Sequence, residues 1–292
     1  MLDIYEFDSG VEGEHFLVLG AVHGNEECGP ESIYKVIEKF QSGALSLQQG
    51  RVTFVPICNP EAYAHNTRFM DRDLNRFMSP IENPSVYEDY ITNVLCPLLE
   101  EADVLLDLHS NRAGGAPFVF IEHPDGEEVP FAMALGADHM VYGFANAYKN
   151  AENDVKESMG TREYFRLSGG RGVTLECGQN GDPKSIEFAE QAIISAMKYF
   201  SLIEGGVELC VNPRIVEIQS SCLRPDGARF VCDVFNCSAF GDGDIIARDR
   251  NGAPSLRADG DIVIFFPQPI EETPAGEDWF HLGKTVGKRN FG

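Results

Sequence analysis

Apolar positions follow two different rhythms along this chain. Over the first two-thirds, short unbroken apolar runs alternate with longer stretches in which apolar residues recur every three or four positions. The runs at 15–19, 52–57, 104–108, 118–121 and 172–175 have almost no polar face, as expected of strands covered on both sides. Between them, 32–40, 85–99, 129–147 and 183–200 carry helical spacing. The alternation predicts an α/β fold with a mixed, mostly parallel sheet flanked by helices. From about residue 207 the rhythm changes, and strand-like runs at 214–218, 229–235, 244–247 and 261–265 are separated by Pro225-Asp226-Gly227, Gly241-Asp242-Gly243 and Ala258-Asp259-Gly260. Turn clusters between short runs predict a small C-terminal all-β domain. The expected division is a larger α/β unit over 1–205 and a β-rich unit over 206–292. No internal repeat or low-complexity linker is visible.

Charge and cysteine usage narrow the partners. The 292 residues can bury a large core, and 23 basic against 46 acidic side chains give a formal charge of −23. Such a surface repels phosphate backbones, so neither nucleic acid nor an anionic membrane is an expected partner. No apolar run approaches the roughly 20 residues that span a bilayer, and the opening MLDIYEFDSGVEGEHF lacks the basic start and apolar core of a secretory signal. The cysteines, Cys28, Cys58, Cys96, Cys177, Cys210, Cys222, Cys232 and Cys237, form no C-x-x-C pair. Reduced thiols and a cytoplasmic setting are the simplest expectation.

The candidate chemistry begins in the turn Gly20 to Pro30, GAVHGNEECGP, which puts His23 and Glu26 three apart directly after an apolar run. An imidazole and a carboxylate on one Gly-rich turn can grip a divalent ion from one side, a geometry that suits zinc. The best third ligand is His109, which follows the run 104–108; two His and one Glu form a hydrolytic zinc set. Asn59 and Glu176 also stand at strand ends. Such carboxyl ends are where open α/β sheets bind ligands, and unrelated chance residues would not share that edge. The stretch Asn59 to Met78 adds Arg68 and the pair Asn75-Arg76, whose planar forks and amide suit a substrate carboxylate. His123 follows the run 118–121 and is expected at the same edge, whereas His15, His65, His139 and His281 have no partner at ligand spacing and read as surface or core residues. Strand alternation turns Cys177 to the face opposite Glu176. Asp107 shares a strand face with His109 and could support it or cap a neighbouring turn.

Taken in order, His23-x-x-Glu26, Arg68, Asp73-Leu74-Asn75-Arg76, Asp107-Leu108-His109 and Thr174-Leu175-Glu176 resemble the motif series of the succinylglutamate desuccinylase and aspartoacylase family, a branch of the zinc carboxypeptidase-like fold. The resemblance spans roughly residues 15 to 200. It implies that His23, Glu26 and His109 hold one Zn2+ per chain, that Glu176 activates water and then protonates the leaving amine, and that Arg68 stabilises the oxyanion. It further implies that Asn75 and Arg76 hold the α-carboxylate and that Asp73 orients His23. Aspartoacylase also places an Arg and a Tyr shortly before its catalytic Glu. Either Arg162 or Arg166 could be that arginine here, and Tyr164 the aromatic. The C-terminal tyrosine of aspartoacylase has no counterpart after Tyr199; Trp279, Phe280 and His281 remain near its place.

The resulting expectation is a cytoplasmic zinc amidohydrolase that releases an acyl group from an N-acyl amino acid, with a small-molecule substrate and self-association into a homo-oligomer left open. A carboxypeptidase trimming peptide C-termini would use the same metal and clamp. A non-catalytic metal- and carboxylate-binding protein would lack the base that Glu176 supplies.

Overall fold

The computed structural model describes residues 2–144 and 159–286. Its strands in chain order are β1 (Tyr5–Asp8), β2 (His15–Leu19), β3 (Arg51–Val55), β4 (Val104–Asn111), β5 (Phe118–Phe120), β6 (His139–Tyr142), β7 (Arg171–Gln179), β8 (Arg214–Leu223), β9 (Arg229–Phe230), β10 (Ser238–Phe240), β11 (Ile245–Arg248), β12 (Pro254–Arg257), β13 (Ile262–Phe265) and β14 (Asp278–Thr285). The described helices are α1 (Cys28–Gln41), α2 (Pro60–Ala64), α3 (Tyr87–Glu101), α4 (Val129–Ala134), α5 (Thr161–Leu167) and α6 (Pro183–Tyr199), with a 3-10 turn at Leu74–Arg76.

The helix expected over 129–147 is not one element. It breaks after α4, where Gly136 takes φ +81°, and the chain re-enters the sheet as β6. A left-handed glycine just beyond a helix end is the usual stop, and it outweighs a helical period that merely happens to continue. Residues 145–147 of that expected helix lie outside the described residues.

Strand alternation sorts side chains to two faces. Phe16, Val18, Leu106, Leu108, Val173 and Leu175 pack with α1, α4 and α6, and Leu17, Leu19 and Leu105 pack with α3 and α5. Each helix contributes a periodic stripe: Ile33, Val36 and Ile37 from α1, and Ile91, Leu95 and Leu99 from α3. α6 starts sharply because the Asp182 side chain accepts from Lys184 N and Pro183 fills the first turn.

The large sheet runs β1-β3-β2-β4-β7-β5-β6-β8-β14-β13-β10, and β12-β11-β9 form a small antiparallel sheet. The pairs among β3, β2, β4 and β7 are parallel, as are β5 with β6 and β6 with β8. β1 on β3, β5 on β7, and the neighbours β8-β14-β13-β10 are antiparallel. The sheet is therefore mixed rather than mostly parallel, because β5 reverses on β7 and the strands β8, β14, β13 and β10 continue the same sheet antiparallel to one another. One feature of its order positions the site. The chain leaves β2 for β3 on one side, then crosses to β4 on the other, so the carboxyl ends of β2 and β4 flank a point where strand order reverses.

Phe165 of α5 is fully buried and packs over Gly172 of β7 so closely that a Cβ on that glycine would lie 2.6 Å from the ring. Phe165→Ala should cost about 3–5 kcal/mol in urea unfolding, the range for emptying a core aromatic site. A loss below about 1 kcal/mol would mean that α5 does not depend on this contact.

Candidate active site

Four side chains meet where β2, β4 and β7 end. His23 and Glu26 stand in the turn after β2, where Ala21 takes φ 42° and Gly24 lies so close to α2 that a Cβ would come within 2.1 Å of Ala62 C. Only glycine permits that approach, and it swings the His23–Glu26 segment over the sheet edge. His109 and Glu176 are register partners near the ends of β4 and β7. His23 Nδ1 lies 2.8 Å from Glu26 Oε1 and His109 Nδ1 lies 2.9 Å from Glu26 Oε2, with the two Nδ1 atoms 3.2 Å apart.

Each imidazole is backed by an aspartate. His23 Nε2 faces Asp73 Oδ1 at 3.1 Å, and His109 Nε2 faces Asp107 Oδ2 at 3.0 Å. The alternation puts Asp107 and His109 on one face of β4, side by side, where the second contact can form. Asp107 also accepts from the Thr161 hydroxyl at the start of α5. Asp73 in turn accepts from Arg68 Nε at 3.0 Å and from Asn75 N at 2.9 Å. Burial works against its charge, but the hydrogen bond from His23 and the fields of His23, Arg68 and Arg76 hold its carboxyl well below the usual range. Glu26 is similarly disfavoured by burial and more strongly held in its ionised form by His23 and His109. For His109, burial opposes a proton, while Asp107 and Glu26 outweigh it and raise the pKa.

These contacts test whether the cluster suits a cation. With an aspartate at each Nε2, that nitrogen carries a hydrogen, so in the neutral ring each Nδ1 keeps its lone pair. Two lone pairs and a carboxylate then point at one small volume, an arrangement that repels itself unless a proton or a metal lies within it. The ligand atoms of His23, Glu26 and His109 all lie within 4.8 Å of one another. Two imidazoles and one carboxylate with carboxylate-backed rings form a donor set that fits a zinc-type divalent ion.

Glu176 is buried beside the cluster and accepts from Asn111 Nδ2 at 3.0 Å. Burial pushes its carboxyl up from the ordinary 4.5 to about 7, and the Glu26 carboxylate adds to the rise against the pull of His109, Asn111 and His23. A cavity of about 830 Å³ opens over these groups. Arg68, Asn75, Arg76 and Arg162 also line it. Asn75 Oδ1 is held by Thr161 N at 2.9 Å, and Arg76 Nη1 donates to Asn75 O at 2.7 Å.

Several expected residues stand elsewhere. Of the two arginines left open, Arg162 reaches the cavity, while Arg166, one turn further along α5, is outside its lining and pairs with Glu122. Tyr164 is also outside: two residues past Arg162 it faces the other side of the helix, packs in the α3 core and bonds Glu100. Asn59 caps α2 and donates to Glu88. His123 is exposed beside Asp125 and is outside the lining of this cavity. His281, expected as a surface or core residue, is in the cavity lining. Trp279 is fully buried, stacked on Phe230 at 4.0 Å. Asn111, Thr161 and Asn236 went unnoticed in the sequence. Alternation from His109 could have found Asn111, but nothing local marks the other two.

Fold and cluster together define an α/β protein with a candidate metal site at a strand-order reversal, beside an arginine-rich cavity. The sequence model of the succinylglutamate desuccinylase/aspartoacylase catalytic domain matches residues 12–200, and the chain belongs to that family. It is 29% identical over 220 residues to N-alpha-acetyl-L-2,4-diaminobutyric acid deacetylase of Halomonas elongata, covering 70% of this chain and 60% of that enzyme's length. It is 25% identical over 320 residues to succinylglutamate desuccinylase of Shewanella amazonensis, covering 94% and 83% of the two chains. The crystal structure of a succinylglutamate desuccinylase/aspartoacylase from Rhodobacter sphaeroides shares the fold with a TM-score of 0.79 at 18% identity, covering 98% and 89%. The relatives so named are acyl-amino-acid deacylases, which are hydrolases.

The raised carboxyl of Glu176 has a measurable consequence for metal-free protein. Its folded-state value lies above the unfolded one, so the folded state binds the proton more tightly and stability is lost as pH rises from about 4.5 to about 7. Glu176→Gln should stabilise the metal-free protein by about 3 kcal/mol at about pH 8 and by far less at about pH 4, read by urea unfolding. An equal effect at both values would show that Glu176 is not an unfavourably buried carboxylate.

Proposed function

We propose that this protein is a zinc-dependent amidohydrolase that removes the acyl group from an N-acyl amino acid. The observation that carries the reading is the convergence of His23, Glu26 and His109 with a raised carboxyl and the Arg68 and Arg76 guanidiniums in one cavity. A metal held by His23, Glu26 and His109 would polarise the scissile carbonyl and acidify the attacking water, whose pKa zinc sites lower to about 7. Glu176 takes the proton from that water and hands it to the leaving nitrogen, a double role that suits a carboxyl poised near neutrality. Arg68, already anchored through Nε to Asp73, turns its outer guanidinium edge to the developing oxyanion. Losing such a donor typically costs about 3–4 kcal/mol of barrier. Asn75 and Arg76 hold the α-carboxylate, and Arg162 lines the same cavity. Asp73 and Asp107 keep the two imidazoles in the tautomer that presents Nδ1.

The same proposal takes the fold as zinc carboxypeptidase-like, sets a catalytic unit at 1–205 against a β-rich unit at 206–292, and places the protein in the cytoplasm. Among the described residues no helix is long and apolar enough to cross a membrane. The net charge of −23 is compatible with a small anionic substrate because exposed charges are screened beyond roughly 8–10 Å at physiological salt.

Chelation should abolish hydrolysis of N-acyl amino acids and zinc should restore it. Glu176→Gln should keep the metal, measured by elemental analysis, while kcat falls by at least about 100-fold, the lower range for removing a general base. Full activity after chelation, or a loss under tenfold in the variant, would contradict the proposal.

A further inference from the structure

The C-terminal strands reach the base through one side chain. Asn236, just before β10, is 3% exposed and lies against the connection between β4 and β5. Its backbone N donates to Gly114 O at 3.1 Å, and its Nδ2 donates to Gly114 O at 2.8 Å and to Asn111 Oδ1 at 2.7 Å. Its Oδ1 accepts from Phe266 N at 2.6 Å. The two backbones approach so closely that a Cβ on Gly115, which takes φ +103°, would lie 2.3 Å from Asn236 O. Cys237, next in the chain, takes φ 66° and Phe266 takes φ 49°. Side chains adopt that left-handed region when their surroundings impose it, and residues so held cluster at functional sites.

These contacts decide which way the Asn111 carboxamide points. An amide side chain has one accepting end and one donating end. Asn111 Oδ1 accepts from Asn236 Nδ2 and from Gly114 N at 3.0 Å, which leaves Nδ2 to donate to Glu176 Oε2 at 3.0 Å. Turned over, the amide would set its NH2 against two donors and its oxygen against a carboxylate.

The orientation matters because the last torsion of a glutamate is soft, so hydrogen bonds rather than the rotamer set the plane of the carboxylate. A group that takes a proton from one atom and hands it to another depends on that plane, and a displacement of about 1 Å from the productive geometry can cost about 100-fold in rate. Asn111 lines the cavity, whereas Asn236 is outside its lining and 125 residues away in the chain. Asn236 therefore reaches the reaction through Asn111.

Building on the deacylase reading, we propose that Asn236 is a positioning residue for catalysis: it fixes the Asn111 carboxamide, which fixes the Glu176 carboxylate, so that the C-terminal strands take part in proton transfer. The zinc-loaded wild type, Asn111→Ala, Asn236→Ala and the double variant would be compared on whichever of N-acetyl-L-alanine, N-acetyl-L-aspartate, N-acetyl-L-phenylalanine and N-succinyl-L-glutamate the wild type hydrolyses fastest. Asn111→Ala should lower kcat about 10–100-fold, the size of one hydrogen bond to a charged group, and Asn236→Ala about tenfold, with KM changed less than about threefold and zinc per chain unchanged. The double variant should be no slower than Asn111→Ala alone, because without Asn111 there is nothing for Asn236 to position. Asn236→Asp keeps the shape and the acceptor for Phe266 N but offers Asn111 Oδ1 no donor, so it should slow kcat as much as Asn236→Ala. In the wild type, the Asn111 carboxamide protons should exchange with solvent at least about 100-fold more slowly than those of a free asparagine, a reading by NMR that needs no altered Asn236. An unchanged kcat in Asn236→Ala, additive losses in the double variant, a rise in KM or loss of zinc in place of a fall in kcat, full activity in Asn236→Asp, or unprotected Asn111 protons would overturn the proposal and leave the deacylase reading standing. No turnover of any of the named substrates by the wild type would overturn that reading and this proposal with it.

Discussion

Two ring nitrogens and a carboxylate forced to face one another are the constraint on which the rest of the structure turns. His23 Nδ1 and His109 Nδ1 lie 3.2 Å apart across the Glu26 carboxylate, a contact that is repulsive unless a proton or a metal lies within it. Nothing in the local backbone requires it; a helix or strand left to itself would let these side chains diverge. Asp73 and Asp107 prevent that by engaging the far nitrogen of each ring. Removing either would leave an imidazole free to turn, and losing such a supporting group typically costs 10–100-fold in metal affinity.

That arrangement explains why the fold is built as it is. The turn after β2 must bring Glu26 back across the sheet edge, which Gly24 allows by lying against α2. β4 must present Asp107 and His109 on one face, while Leu106 and Leu108 supply the opposite core. The loop bearing Arg68, Asp73, Asn75 and Arg76 has little regular structure of its own. It is pinned from below by Glu88, whose buried carboxylate accepts from Met70 N at 2.7 Å, Asp71 N at 3.0 Å and Asn59 Nδ2 at 3.2 Å. Burying that carboxylate is tolerable because its oxygens are hydrogen-bonded.

Much of this was legible in the sequence. The central strands and the long helices α1, α3 and α6 carry strong periodicity, and the charged clusters sit at the strand ends that the alternation predicts. What escaped was set by long-range packing. β14 pairs with β8 across about sixty residues, and its segment Asp278-Trp279-Phe280-His281 reads as a mixed stretch without alternation. His281 enters the cavity only because of that pairing. The two-residue β9 has no periodic signal, and β12 runs from Pro254 to Arg257 with intermediate burial, so neither announces itself. Tyr164 could not be separated from Arg162 without knowing that α5 is a helix packed against α3.

The central claim is that His23, Glu26 and His109 form one metal site whose geometry is held by the fold. X-ray absorption at the zinc edge on zinc-titrated protein tests it most directly. One zinc per chain should show two imidazole nitrogens and carboxylate oxygen at about 2.0–2.2 Å, and His109→Ala should remove one imidazole from the shell. Sulfur scattering at about 2.3 Å, or a spectrum unchanged by the substitution, would place the metal elsewhere and contradict the account.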